Sequence, residues 1–218
     1  MARSSCDELT TLLTHYVTIK SSIIDIERLR DCLQSASTEE VYHLLSTTKS
    51  ETFRNTAIHK AAWRNTPEVI TCLFDSVTEE QKYQLLMEQN VLGATALHCA
   101  AYNGYSDIIA GICEIVTVKQ RYQLLTVQDQ DKYTVLHFAA WGGQSKLITS
   151  ILDSIESAQQ IQLLEITDSY NRTTLDLALL NNKRPTANLI KSYLSTGDEL
   201  RGELTSGIVS RQYFTAFF

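Results

Sequence analysis

The 218-residue sequence contains no apolar run near the roughly 20 residues that a membrane helix needs. Residues 1–20 lack the basic start and the apolar block of a secretory signal. Lys and Arg number 19 against 25 Asp and Glu, giving a net charge of −6, and no segment concentrates enough basic residues to neutralise several phosphates. We therefore expect a soluble, cytoplasmic protein with neither a membrane nor a nucleic acid as partner.

Motifs of disulfide-rich, metal-binding and catalytic proteins are also missing. The five cysteines are odd in number and include no Cys-x-x-Cys pair, which argues against a disulfide framework and a zinc site. Cys32, Cys72 and Cys113 fall on apolar helix positions, where we expect small buried thiols. No Gly-rich phosphate loop, nucleophile elbow or His-Glu-x-x-His is present. We expect no enzymatic activity, no cofactor and no metal.

The feature that is present is a repeat with a period of 39 residues. A spacing that is held three times indicates a repeat array. The first three copies are each followed by an Ala pair, whereas the fourth keeps only Ala178. The four copies are Thr56-Ala57-Ile58-His59, Thr95-Ala96-Leu97-His98, Thr134-Val135-Leu136-His137 and Thr173-Thr174-Leu175-Asp176.

This pattern resembles the Thr-Pro-Leu-His-x-Ala-Ala signature of ankyrin repeats, with another residue in place of the Pro. The resemblance covers about residues 21 to 195 and implies an all-α repeat solenoid, a stack of helix pairs with β-turn tips. It also implies that the Thr and His side chains make structural hydrogen bonds that link adjacent turns. Residues one repeat apart lie roughly 10 Å from each other, too far for His59, His98 and His137 to share one metal ion.

Each unit reads as a helix that starts after an N-capping Thr, a turn, and a second helix with apolar pairs. The turns are expected at residue types that tolerate positive φ, namely Asn65, Asn103-Gly104, Gly142-Gly143 and Asn181-Asn182. The period exceeds the usual ankyrin period of about 33 residues. The extra residues contain capping-box patterns that begin at Ser37, Thr78 and Thr117, and they predict a third short helix in each unit. The Leu pairs of these helices are expected to seal neighbouring units together.

The predicted boundaries divide the chain into seven parts. They are an N-terminal helical extension at 1–20, a degenerate capping repeat at 21–50, ankyrin repeats at 51–90, 91–129 and 130–168, a C-terminal partial ankyrin repeat at 169–196 and a tail at 197–218. The tail is either docked on the last repeat, which we favour, or a short exposed binding segment.

The family resemblance implies a curved stack with a concave face formed by the turn tips and the first helices. Large apolar residues on the tips favour binding, since an exposed apolar patch is costly unless a partner covers it. Aromatic residues also recur on the first helices, where they either bind a partner or pack between successive helices. The candidate protein-binding residues are Phe53, Leu92, Tyr133 and Tyr170 on the tips and Trp63, Tyr102 and Trp141 on the helices.

The family resemblance implies a non-catalytic protein–protein interaction module, an adaptor or a regulatory subunit that is monomeric on its own. The alternative is an effector that an intracellular bacterium exports to bind host proteins, and a translocation reporter distinguishes the two. An enzyme is the third hypothesis. It would use His98 or Cys99, but neighbouring side chains on a helix point about 100° apart and do not form a dyad.

Overall fold

The computed structural model describes the backbone of residues 2–18 and 25–206 and the side chains of residues 7–18 and 25–195. Within these ranges the chain forms helices and no strand, and one isolated antiparallel bridge joins Thr167 and Thr173. The helices are α1 (Ala2–Thr18), α2 (Ile26–Ser35), α3 (Thr38–Thr47), α4 (Ala57–Arg64), α5 (Pro67–Phe74), α6 (Glu79–Met87), α7 (Ala96–Asn103), α8 (Ser106–Ile115), α9 (Val118–Thr126), α10 (Val135–Gly142), α11 (Ser145–Asp153), α12 (Ser157–Glu165), α13 (Thr174–Leu180) and α14 (Arg184–Ser206).

The first helices of the units, α4, α7, α10 and α13, pack side by side in chain order. The alanine pairs make this close approach possible, and Ala61, Ala100 and Ala139 are completely buried between neighbours. The second helices α5, α8 and α11 form a further row that packs on the first. The predicted all-α repeat solenoid is therefore confirmed.

Left-handed backbone conformations end the first helices at the predicted turn residues. Asn65 closes α4 with φ of 55°, and Gly104 and Gly143 close α7 and α10 with φ of 78° and 75°. Asn182 takes the same role after α13, with φ of 55°. Gly and Asn adopt this region at the lowest cost, which is why they recur at these positions.

The third helix predicted in each unit is present as α3, α6, α9 and α12. Ser37, Thr78 and Thr117 start the first three with capping boxes, and their Leu pairs are buried, except that Leu44 is half-buried. A row of hydrogen bonds also joins successive third helices, in which a Tyr hydroxyl donates to the Gln side chain of the next helix. The bonds are Tyr42 to Gln84 at 2.8 Å, Tyr83 to Gln123 at 3.0 Å and Tyr122 to Gln162 at 2.9 Å.

The ends of the array differ from the predicted divisions. The helix α1 packs against α2 and α4 and so takes the place of a first helix in the capping unit. The helix α14 continues to Ser206, so the boundary predicted between residues 196 and 197 lies inside a helix. Residues 19–24 and 207–218 lie outside the described residues, and so does the predicted docking of the aromatic end of the tail.

Candidate protein-binding surface

The turn tips are joined to one another by backbone hydrogen bonds. Val91 donates to the Phe53 carbonyl at 2.9 Å, and Gln130 donates to the Leu92 carbonyl at 2.9 Å. The next tip continues the row, since Ser169 donates to the Asp131 carbonyl at 3.0 Å. These bonds fix the spacing between tips and hold them in one row.

A side-chain oxygen at the start of each of three turns holds the turn closed. Asn90 Oδ1 accepts from the backbone N–H groups of Leu92 and Ala94 at 2.9 and 3.0 Å. Asp129 and Asp168 make the equivalent pairs of bonds. These residues are 39 apart in the sequence, so the period could have identified them, although the repeat motif alone did not.

The periodic histidines join each first helix to the next turn. In the second unit the Thr95 N–H donates to His98 Nδ1 at 3.1 Å, and the Thr95 hydroxyl lies 2.8 Å from the same atom. Because Nδ1 accepts, the proton is on Nε2, which donates to the Tyr133 carbonyl at 3.0 Å. His59 and His137 make the equivalent bonds to the carbonyls of Ala94 and Arg172 at 3.0 and 3.3 Å. The expected structural role of the histidines is confirmed.

The capping threonines divide into two kinds. The hydroxyls of Thr56 and Thr173 accept the backbone N–H three residues further on, as predicted. The hydroxyls of Thr95 and Thr134 lie 2.8 Å from the imidazole Nδ1 of their unit, a contact that Thr56 makes in addition to its capping bond. In the last unit Asp176 replaces His, and its carboxylate accepts from the Thr173 N–H and hydroxyl at 2.8 and 2.7 Å.

Burial keeps these groups in their neutral forms. Desolvation lowers the pKa values of His59 and His98 to about 4 and raises the pKa of the Cys99 thiol to about 12. A neutral, fully hydrogen-bonded imidazole is a poor general base, and a thiol with such a pKa is a poor nucleophile. In the described part of the chain no group of three or more His, Cys, Asp or Glu residues is placed to hold a metal ion.

The three aromatic residues predicted on the first helices form one stacked row, which we call the aromatic stripe. The ring centroids of Trp63 and Tyr102 lie 5.5 Å apart with an interplanar angle of 17°. Those of Tyr102 and Trp141 lie 6.0 Å apart at 21°. Each side chain is still 48–49% exposed. The stripe therefore both packs between successive first helices and presents aromatic surface to solvent.

The four predicted tip residues divide into exposed and packed ones. Phe53 and Leu92 are about half exposed, and Tyr170 is 72% exposed with the Arg172 guanidinium 4.6 Å from its ring centroid. Tyr133 is half-buried, and its hydroxyl accepts from Arg172 at 2.8 Å. The position of Tyr133 thus supports the turn and leaves less surface for a partner than the other three do.

Phe138 connects the tips with the stripe, although the sequence reasoning did not single it out. Its ring meets Tyr133 edge to face at 5.3 Å and Tyr102 at 5.9 Å. It occupies the position equivalent to Lys60 and Cys99, three residues before the stripe residue of its unit. The position of Phe138 repeats at the period of 39 residues, but the equivalent residues Lys60 and Cys99 are not aromatic. The sequence therefore showed no aromatic repeat at this position.

A family model described as ankyrin repeats matches residues 29–121 as three copies. The resemblance seen in the sequence is thus confirmed over residues 29–121, where the chain is similar to ankyrin repeats. The match ends inside α9, and the helix pattern continues in the units that follow, the first of which keeps the histidine bond through His137. No curated protein matches the chain.

Ankyrin repeats are generally protein–protein interaction modules and are typically not catalytic. In this repeat array the periodic histidines His59, His98 and His137 hydrogen-bond within the structure, and Cys99 is buried. No helix among the described residues is both long and apolar enough to cross a bilayer.

Proposed function

We propose that the chain is a non-catalytic adaptor or regulatory subunit that binds a protein partner on its concave face. The binding surface consists of the aromatic stripe together with the tip residues Phe53, Leu92, Tyr133 and Tyr170. The observation that supports this most strongly is the half exposure of three aromatic rings that are already stacked and held in place. Fixed aromatic side chains bury a large area on binding and lose little conformational entropy, which is why they dominate interface hot spots.

We also propose that the protein is a monomer and is located in the cytoplasm. Cys32, Cys72, Cys99 and Cys113 are free and buried, and such thiols are compatible with a reducing compartment. A single species at the mass of one chain, measured by light scattering after gel filtration, is the expected result. A stable dimer would contradict this part of the proposal.

Affinity capture with a stripe variant tests the binding surface. In the variant Trp63, Tyr102 and Trp141 are all replaced by Ala. The matched control, Ile115→Ala/Val118→Ala, removes exposed apolar side chains from α8 and α9, away from the stripe. Circular dichroism and thermal unfolding establish that both variants are folded. We expect to capture proteins that bind the parent and the control but do not bind the stripe variant.

Each captured protein is then purified and titrated into the parent chain. Both tryptophans of the sequence lie in the stripe, so a partner that covers it should shift the intrinsic fluorescence to shorter wavelength. Partners that bind the folded stripe variant as tightly as the parent would refute the concave-face proposal.

A further inference from the structure

The side of the first helices that carries the aromatic stripe, here called the inner face, has few charged residues. The helices α7 and α10 contain no charged residue, α4 contributes Lys60 and Arg64, and α13 contributes Asp176 at the far end of the row. Lys60 and Trp63 are three residues apart, so they lie on the same side of α4. Lys60 thus places a positive charge next to the first ring of the aromatic stripe.

The two basic residues of α4 differ in their surroundings. Arg64 faces α1, where its Nη1 donates to the Tyr16 carbonyl at 3.1 Å and its guanidinium lies 4.7 Å from the Tyr16 ring centroid. None of the five ion pairs found among the described residues includes Lys60. Lys60 is half-buried, and both this burial and the neighbouring Arg64 lower its pKa. Its ammonium group is therefore partly dehydrated and pairs with no carboxylate among the side chains that the structure describes.

A carboxylate is the complement of such a group. Coulomb attraction increases as the effective dielectric constant falls, so a half-buried ammonium attracts an anion more strongly than a fully solvated one does. A free carboxylate on a partner would also relieve the repulsion between Lys60 and Arg64. The acidic residues in the first turns of α3 and α6, namely Glu39, Glu40, Glu79 and Glu80, would repel the same partner from these two helices.

We infer that the inner face recognises an acidic segment of a protein partner, with one Asp or Glu side chain against Lys60 and apolar side chains on the aromatic stripe. This inference rests on the proposed function and gives the chemistry of the partner. A basic segment is the competing candidate, because stacked aromatic rings also attract cations. The charges of Lys60 and Arg64 beside Trp63 disfavour it.

Selection of random 12-residue peptides displayed on phage, with the intact parent chain as bait, provides the probe. Selected peptides are synthesised, and their dissociation constants are measured by fluorescence anisotropy. The test variant is Lys60→Met, which removes the charge and keeps an unbranched apolar side chain. Lys82→Met is the control, because Lys82 lies on α6 and pairs with Glu79 at 2.6 Å. Thermal unfolding establishes that both variants are folded.

We expect the selected peptides to be enriched in Asp and Glu and to bind Lys60→Met about tenfold more weakly than the parent. Lys82→Met should bind them as the parent does. A second variant, Lys60→Glu, should select peptides enriched in Lys and Arg. Peptides without acidic enrichment, peptides enriched in basic residues, or equal binding to the parent and Lys60→Met would each overturn the inference.

The stripe variant separates the two proposals. Peptides that lose binding to the stripe variant but not to Lys60→Met overturn the acidic-segment inference and leave the proposed function standing. Peptides that bind the stripe variant as tightly as the parent overturn the proposed function as well.

Discussion

Replacing His98 with Gln should make the stability of the array less sensitive to acid. In the parent, His98 is buried and uncharged, its pKa is lowered to about 4 by desolvation, and Nδ1 accepts from the Thr95 N–H. Protonation of Nδ1 would place an N–H against that donor. Gln carries no titratable group, and it is a natural choice here because Gln81 and Gln120 already complete the capping boxes of α6 and α9.

The size of the effect follows from the linkage between protonation and folding. Between pH 6.5 and about 4 the unfolded chain binds a proton at His98 that the folded chain does not, so stability falls as the pH falls through this range. The difference between 6.5 and about 4 corresponds to about 3 kcal/mol, at ~1.4 kcal/mol per pH unit. This stabilisation is complete above pH 6.5, and the decrease due to His98 ends below its folded-state pKa.

Near neutral pH the same substitution should lower the stability of the array. Gln cannot reproduce the bond from Nε2 to the Tyr133 carbonyl, and a lost hydrogen bond to a buried group costs about 1–2 kcal/mol. We therefore expect His98→Gln to be less stable than the parent at pH 7.5. As the pH falls toward 4, the two free energies of unfolding should converge and then cross.

Urea unfolding at a series of pH values from 7.5 to 4.5, followed by circular dichroism, measures this. His43→Gln removes an exposed imidazole on α3 and controls for the substitution itself. Comparable urea dependence of the unfolding free energy in all three proteins justifies comparing their stabilities. An unfolding free energy that falls with pH as steeply in His98→Gln as in the parent would refute the account of the buried imidazole.

Two further predictions concern the turns and the third helices. Gly93→Ala should destabilise the array by about 1–3 kcal/mol in urea unfolding, because φ is +73° and the new Cβ would lie 2.9 Å from the Gln130 backbone nitrogen. The control Gly111→Ala adds a methyl group on α8 with no neighbour within 4 Å and should stabilise the array by about 0.5–1 kcal/mol. A Gly93→Ala variant more stable than Gly111→Ala would contradict the geometry. Tyr83→Phe removes the bond to Gln123 and should lower stability by about 0.5–1 kcal/mol in the same assay, and no change would mean that this bond contributes nothing to stacking.

The architecture was predictable because it depends on residues that recur at the same positions in three or four units. The Ala pairs, the capping residues and the turn residues act within one unit, so three copies at a constant spacing are enough to place most helices. The ends of the array were harder to predict. The helix α1 carries no repeat motif, and only its packing against α2 and α4 shows that it completes the capping unit.

The candidate surface was predictable in position but not in detail. The period placed Trp63, Tyr102 and Trp141 on one face, but whether the rings stack, stay exposed or do both depends on the distance between helices. Contacts between units that use unlike residues gave no periodic signal. The packing of Phe138 on Tyr102 and the bond from Arg172 to Tyr133 are of this kind.

The histidine bonds give the array a direction. Each imidazole donates to a carbonyl of the unit that follows. The hydrogen bonds of a buried His are therefore complete only when the next unit is present, whereas the His of that next unit bonds further along the chain and does not use the preceding unit. Asp176 caps its own helix without a ring N–H that would need a carbonyl further along the chain. An array that is shortened to end after α8 should therefore lose a hydrogen-bond acceptor for His98, and His98→Asp should restore part of the stability that the shortening removes. Replacing the His of an internal unit with Asp should therefore suit that unit to be the last one of a shortened array.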